Sequence, residues 1–487
     1  MKTAYTGRRD FKRMLGLSGL GLLASVFAQA EIGSAGKPNV LFISIDDFRP
    51  ELGCYGDTPV KTPHIDRLAG EGVLFQRAYC QMPVCGASRA SMMTGILPTR
   101  QRFTSYKTRA DEDVPKAATV PEAFKNAGYT TLSNGKMFHA QNDSDARSWS
   151  EPAWRPEAVD HMKSYDPETT RRLSQRNRGR IYELPDVADD AYFDGQVAKK
   201  TIADLRRLKE KGEPFFLGCG FIRPHLPFYA PKKYWDLYDR DKIEIADNRY
   251  RPKGAPKELK GSGEFRSYHP GDFEVNSEAW HRMMRHGYMA STSYVDKLTG
   301  DVIAELERLG LADNTIIVIW GDHGWHLGEH NFWGKHNTMH LSLRIPLIIK
   351  VPGKKASETS ALVEASDLFP TLCAIAGIEV PATVQGRSFA ELLDQPEKSF
   401  RDVSYSRYRA ADSVVTERFS YTSYAEGKSE MMYDLQKDPD ENQNIAGNPE
   451  YAEALQEMKV LLEQRKQESK NPREKMSMPA PALKQMK

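Results

Sequence analysis

The sequence predicts an α/β protein with a large, mainly parallel central sheet flanked by helices and a smaller C-terminal subdomain built on an antiparallel sheet. Three observations carry that prediction. Continuous apolar, β-branched runs at 39–45, 214–221 and 315–320 have the pattern of strands buried on both faces. They alternate with stretches of helical periodicity, the order that builds parallel sheets. Beyond about residue 395 the pattern changes to short alternating segments.

The elements follow in order. Arg8-Arg9-Asp10-Phe11-Lys12, an apolar stretch from Met14 to Phe27 and Ala28-Gln29-Ala30 read as a cleavable export signal over residues 1–30. The apolar run is too short to span a bilayer. The paired arginines resemble a twin-arginine signal, which implies a bacterial protein exported already folded to the periplasm or beyond; an ordinary secretory signal is the alternative. The first strand, 39–45, ends in Asp46-Asp47. A short helix is expected over 62–72, an extended segment from Val73 to Tyr79, and a helix from Cys85 to Gly95.

Residues 120–126 read as a helix and 129–133 as a strand, with Gly135-Lys136-Met137-Phe138-His139 at its end. Residues 140–190 are polar and carry no clear assignment. A helix over 192–211 precedes the strand 214–221, which runs into Arg223-Pro224-His225. Residues 240–275, rich in Lys, Gly and Pro, read as a long surface insertion and a candidate wall of a substrate cleft. Apolar residues at three- and four-residue spacing predict a long amphipathic helix over 278–309, closing on Gly310. The strand 315–320 then ends in Asp322-His323. Segments 403–408, 419–424 and 431–435 predict a small antiparallel sheet, a charged helix follows over 449–469, and the end is read as disordered. The expected divisions are 31–395, 396–470 and a tail, 471–487.

With 487 residues, 40% of them hydrophobic, the chain can bury a sizeable core. Its 68 Lys and Arg against 66 Asp and Glu leave a net charge of +2, which argues against nucleic acid as a partner. No stretch after the leader is long and apolar enough to predict a membrane span. The five cysteines are an odd number for an exported chain, and none shows metal-site spacing. Cys219 and Cys373 lie in apolar segments and read as core residues.

Four polar clusters fall just past predicted strands: Asp46-Asp47, Lys136 with His139, His225, and Asp322-His323. Ligands of open α/β sheets gather outside the carboxyl ends of the strands. Each cluster alone is as easily a solvated turn, but four together point to a site. Asp46, Asp47 and Asp322 supply hard oxygen ligands suited to Ca²⁺ or Mg²⁺ rather than zinc, with His323 a borderline ligand. Cys85 begins a helix, where backbone amides and the dipole favour an anion and a lowered thiol pKa. From these residues alone, Cys85 is either a nucleophile with Arg89 as anion clamp or a packed cysteine beside an arginine.

Cys85-Gly86-Ala87-Ser88-Arg89, followed by Ala90-Ser91-Met92-Met93-Thr94-Gly95, resembles the sulfatase signature. The resemblance runs from about Pro38 to Ala446. It takes in Gly135-Lys136 and His139, Gly321-Asp322-His323-Gly324, Leu327-Gly328-Glu329-His330, Lys335, and Tyr433-Asp434-Leu435. Asp322-His323, Arg223-Pro224-His225-Leu226-Pro227-Phe228 and the Gly135 to His139 run are similar to the iduronate-2-sulfatase branch.

The resemblance implies an alkaline-phosphatase-like fold and a formylglycine made from Cys85 by a dedicated maturation enzyme. It implies Ca²⁺ held by Asp46, Asp47, Asp322, His323 and the modified Cys85. Arg89 would stabilise the formylglycine, while Lys136, His139, His225 and Lys335 would surround the sulfate; His225 or Lys335 would protonate the leaving oxygen. His326 would line the substrate pocket. The implied substrate is a sulfated oligosaccharide, with the 2-O-sulfate of a uronic acid first. A phosphoester or phosphonate-ester hydrolase of the same superfamily, and a catalytically silent glycan-binding protein, are the alternatives.

Overall fold

The apolar runs form strands whose alternate side chains enter two separate cores. In the computed structural model, which describes residues 36–157, 159, 162–175 and 178–470, the central strands are β1 (Asn39–Ile45), β2 (Val73–Tyr79), β3 (Thr130–Gly135), β4 (Phe215–Phe221), β5 (Thr315–Gly321), β6 (Leu347–Lys350) and β7 (Ser357–Glu364). The leader expected over 1–30 and the tail expected over 471–487 lie outside the described residues. With the short strand Arg344–Ile345 these make an eight-stranded sheet in the order Arg344–Ile345, β2, β6, β5, β1, β4, β3, and β7 pairs with β2. The neighbours β5, β1, β4 and β3 run parallel, as do β2 and β7. Strand β6 runs antiparallel to β5 and β2.

Leu41, Ile43, Ile45, Ile317 and Ile319 face one core, packed beneath the helices Phe193–Lys211 and Glu278–Arg308. Val40, Phe42, Ile316, Val318 and Trp320 face the other, beneath Cys85–Thr94, Val120–Asn126 and Leu368–Ala376. A strand covered on both faces has no polar side, which is why its sequence does not alternate. The long helix is capped at Ser277, whose hydroxyl accepts from Trp280 N, and it stops just before Gly310 at φ 64°.

Four antiparallel strands, Ser404–Tyr408, Ala411–Val415, Phe419–Tyr424 and Ser429–Asp434, form the second sheet, against which Ala452–Lys470 packs. It belongs to the same compact unit as the first sheet. Glu364, at the end of β7, ties the two by accepting from Tyr405 N at 2.7 Å and from Arg465 at 2.7 Å. Among the described residues no helix is long and apolar enough to cross a membrane.

Candidate active site

Strand register brings the polar clusters to one level. Ile45 pairs with Phe221 on one side and Gly321 on the other, and Gly135 pairs with Gly220. The next residues therefore emerge together at the carboxyl edge: Asp46, Asp322, Lys136 and the segment leading to His225. Backbone bonds continue the ladder, with Asp46 N to Phe221 O, Asp322 N to Ile45 O and Lys136 N to Gly220 O. The His225 segment is fixed from the helix behind it, where Asp194 accepts from Ile222 N and Arg223 N at 2.7 and 3.0 Å.

Asp47 adopts the left-handed region at φ 56°, unusual for a residue with a side chain. Three bonds hold it there. Its N–H donates to Asp322 Oδ1 at 3.1 Å, Tyr288 Oη donates to its carbonyl at 2.9 Å, and Lys335 Nζ reaches Oδ1 at 2.5 Å. Cys85 opens the Cys85–Thr94 helix, and Ser88, one turn on, donates its hydroxyl to the Asp322 carbonyl. The Cys85 Sγ lies 3.3 Å from His323 Nε2 and 3.2 Å from Lys335 Nζ. His323 Nδ1 donates to Gly324 O at 3.1 Å, which leaves Nε2 for the site.

Arg89 is fully buried. It donates from Nε to Asp322 Oδ2 at 2.9 Å and from Nη1 to Ser44 Oγ, Met137 O and Lys136 O, and Nη2 is 3.7 Å from Asp46 Oδ1. Arg89 stands behind the carboxylates and acts through them.

Charges in this cluster set one another. Burial favours neutral Asp46, but Lys136, His225 and Arg89 outweigh it and hold the carboxyl well below the usual range. Burial, with the charges of Asp46 and Cys85 added, pushes Asp47 up to about 6 against His225 and Lys335. Burial and Asp46 push Asp322 up to about 7. Burial also opposes ionisation of Cys85, yet Lys136, Lys335 and His323 bring its thiol well below the ordinary value.

These residues fit a hard divalent cation. One donor atom from each of Asp46, Asp47, Cys85 and His323 lies within 4.8 Å of the others, and all four residues are buried. Asp46 Oδ1 and Asp47 Oδ2 are buried without a hydrogen-bond partner, a costly arrangement that a cation would relieve. Asp322 is drawn in alongside, each oxygen accepting one hydrogen bond and keeping a lone pair.

A cavity of about 450 Å³ opens onto Cys85, Lys136, His139, His225 and Lys335. Lys136 Nζ is paired with Asp46 Oδ2. His225 Nδ1 donates to Leu226 O at 2.6 Å, and its Nε2 faces Glu264 Oε1 at 3.2 Å. His139 is kept neutral, chiefly by burial, and meets Tyr106 edge-on at 5.9 Å.

His326 is not brought to this cavity. It is fully buried against Asn337, 3.3 Å from Nε2, and burial pulls it down to about 4. His336 lines the wall instead. Sequence reasoning also missed Glu264, which lies 3.4 Å from Lys335 Nζ as well as beside His225. Its only signal was its place in the insertion expected to wall a cleft.

The Sulfatase family profile matches residues 38–378, and that of the N-sulphoglucosamine sulphohydrolase C-terminal domain matches 328–468. The chain is 32% identical over 471 residues to iduronate 2-sulfatase of Homo sapiens, covering 84% of this chain and 83% of the relative. It is 28% identical over 462 residues to a Delta 4,5-hexuronate-2-O-sulfatase of Bacteroides thetaiotaomicron, with 88% of each covered. The solved phosphonate monoester hydrolase of Agrobacterium radiobacter superposes with a TM-score of 0.71 at 24% identity, covering 89% of this chain and 96% of that one, a likeness of fold.

Proposed function

Because the chain belongs to the sulfatase family, whose members are sulfuric ester hydrolases, we propose that it removes the 2-O-sulfate of a uronic acid in a sulfated glycan, as iduronate-2-sulfatases do. The observation that carries the reading is Cys85 at the floor of a cationic cavity, within 3.3 Å of both Lys335 and His323. Calcium, or magnesium in its place, would be held by Asp46, Asp47, Asp322, His323 and a formylglycine made from Cys85. When present, the hydrated formylglycine would supply an activated hydroxyl for attack on sulfur.

The chain's own residues do the rest. Lys136 and Lys335 present ammonium groups to the sulfuryl oxygens, where negative charge grows. His139, neutral, offers a hydrogen bond without adding charge. His225, held as a cation by Asp47 and Glu264 despite its burial, presents an Nε2 proton beside Lys335. Arg89 favours the ionised forms of Asp46 and Asp322 from behind, enough with Lys136 and His225 to hold Asp46 ionised, while burial and Asp46 still push Asp322 up. The reading includes a bacterial protein, periplasmic or extracellular, exported by the leader at 1–30 after a formylglycine-generating enzyme has acted.

Two measurements test it. Peptide mass spectrometry of protein from its native host should find residue 85 as formylglycine; an intact thiol throughout would overturn that part. Sulfate release from defined oligosaccharides should favour a 2-O-sulfated uronate over a 6-O-sulfated glucosamine, and the reverse preference would overturn the substrate.

A further inference from the structure

We propose, building on the reading of this cavity as a sulfated-sugar site, that Arg155 and Arg178 form a second anion subsite that takes an acidic group of the substrate other than the ester being cleaved. The cations of the cavity divide by partner. Lys136 and Lys335 are paired with Asp46 and Asp47, and His225 with Glu264. Arg155 and Arg178 also line the wall, yet among the described residues neither has a carboxylate within ion-pair distance. Glu264 is the sole carboxylate of the described lining, and it is engaged by His225 and Lys335.

Both guanidiniums are held in place by neutral groups. Arg155 donates from Nε to Gly135 O at 3.2 Å and from Nη2 to Phe138 O and His139 O at 2.8 and 3.0 Å. Those bonds use three of its five N–H groups and leave the two on Nη1. Burial lowers it to about 10, so it stays cationic at neutral pH. Arg178 lies over the Tyr268 ring, 4.9 Å from the centroid, and donates to its hydroxyl at 2.9 Å. Stacking of this kind limits the freedom of a long side chain before a ligand arrives.

The space suits a ligand larger than sulfate. The 450 Å³ cavity would hold roughly 15 waters at about 30 Å³ each. Tyr106, 54% exposed, supplies an apolar surface at the rim. A planar guanidinium fork matches a carboxylate or a sulfate, so the shared requirement is a second negative group on the sugar.

The test uses Arg178→Ala, which removes no backbone contact, with Arg155→Lys as a second variant. Three oligosaccharides share one scissile sulfate: one carries a carboxylate, one is its carboxyl-reduced counterpart, and one carries a second sulfate in place of the carboxylate. For Arg178→Ala, the ratio of kcat/KM on an anionic substrate to that on the reduced one should fall about ten- to hundredfold, the worth of a charged hydrogen bond. The substrate that suffers the fall identifies the anion. Unchanged ratios with both anionic substrates in both variants would overturn the subsite. If the wild-type enzyme releases sulfate from none of the three, the substrate reading fails instead. The subsite is then decided by calorimetric binding of an unsulfated uronate disaccharide, which the variants should weaken by the same factor; equal binding would overturn it.

Discussion

Replacing Arg89 by Met should destabilise the protein by about 3–5 kcal/mol, although Arg89 makes no contact with the cavity. The magnitude follows from what the guanidinium neutralises. It is fully buried, bonded to Asp322 at 2.9 Å and 3.7 Å from Asp46, and its loss leaves two buried carboxylates facing one cation fewer. It also strips donors from Ser44 Oγ and from the carbonyls of Lys136 and Met137. At 1.36 kcal/mol per decade, the expected loss shifts the unfolding equilibrium by roughly 10²–10⁴. Urea unfolding of wild type, Arg89→Met, Asp322→Asn and the double variant forms a cycle. Because the two residues are in direct contact, their coupling should reach about 1–3 kcal/mol, with the double variant less damaged than the sum. A single-variant loss below about 1 kcal/mol, or additivity within about 0.5 kcal/mol, would refute the argument that Arg89 works as counterion to the acids.

Tyr288→Phe removes the hydroxyl that joins Arg49 N to the Asp47 carbonyl; it should cost about 1–3 kcal/mol and weaken calcium binding several-fold in a calorimetric titration, with unchanged affinity counting against a role in holding Asp47. Asp47 and Asp322 titrate higher in the fold, at about 6 and about 7, than the ordinary 3.8, so their contribution to stability is complete below about pH 4 and is lost as pH rises through 7. A bound cation displaces those protons, so the rise in melting temperature from chelator to millimolar calcium should be larger at pH 8 than at pH 5; equal rises would contradict the linkage. Gly86→Ala would place a Cβ 2.1 Å from the Tyr106 carbonyl oxygen, forcing backbone to move beside Cys85. Melting temperature should drop by the equivalent of about 1–3 kcal/mol, together with activity.

Much of the central sheet was legible because β1, β4 and β5 are covered on both faces and so read as unbroken apolar runs. Strands β6 and β7 were not assigned. The first is only Leu347–Lys350, and the second exposes residues at its start, so neither shows a full strand period. Ala411–Val415 was missed for a similar reason: Asp412 and Ser413 interrupt its apolar pattern, yet both are buried, Asp412 by bonds from Arg407 and Tyr405. At the site, Asp46, Asp47, Lys136, His139, His225, Asp322 and His323 were legible because they fall just past strands, and Cys85 and Lys335 through the family motifs. Glu264 enters from a loop whose path depends on tertiary packing, and no local period could place it. Arg89 was legible as a motif residue, but its partners, Asp322 and Ser44, became visible only once the strands were in register. His326 stands close in sequence to His323, and a short excursion of the chain turns it into the core.

The register that aligns Asp46 with Asp322 also sets a clock. Ser88 and the Asp322 carbonyl, joined by a hydrogen bond in the fold, are 234 residues apart. At about 5–20 residues per second, roughly 10–50 s of synthesis separate the emergence of Cys85 from that of the strand end that covers it. In the finished fold Cys85 is 2% exposed. If Cys85 is oxidised by a maturation enzyme as proposed, that enzyme would have its opening while the ribosome is still making the rest of the sheet, and a faster-translated message would shorten that opening without changing a single residue.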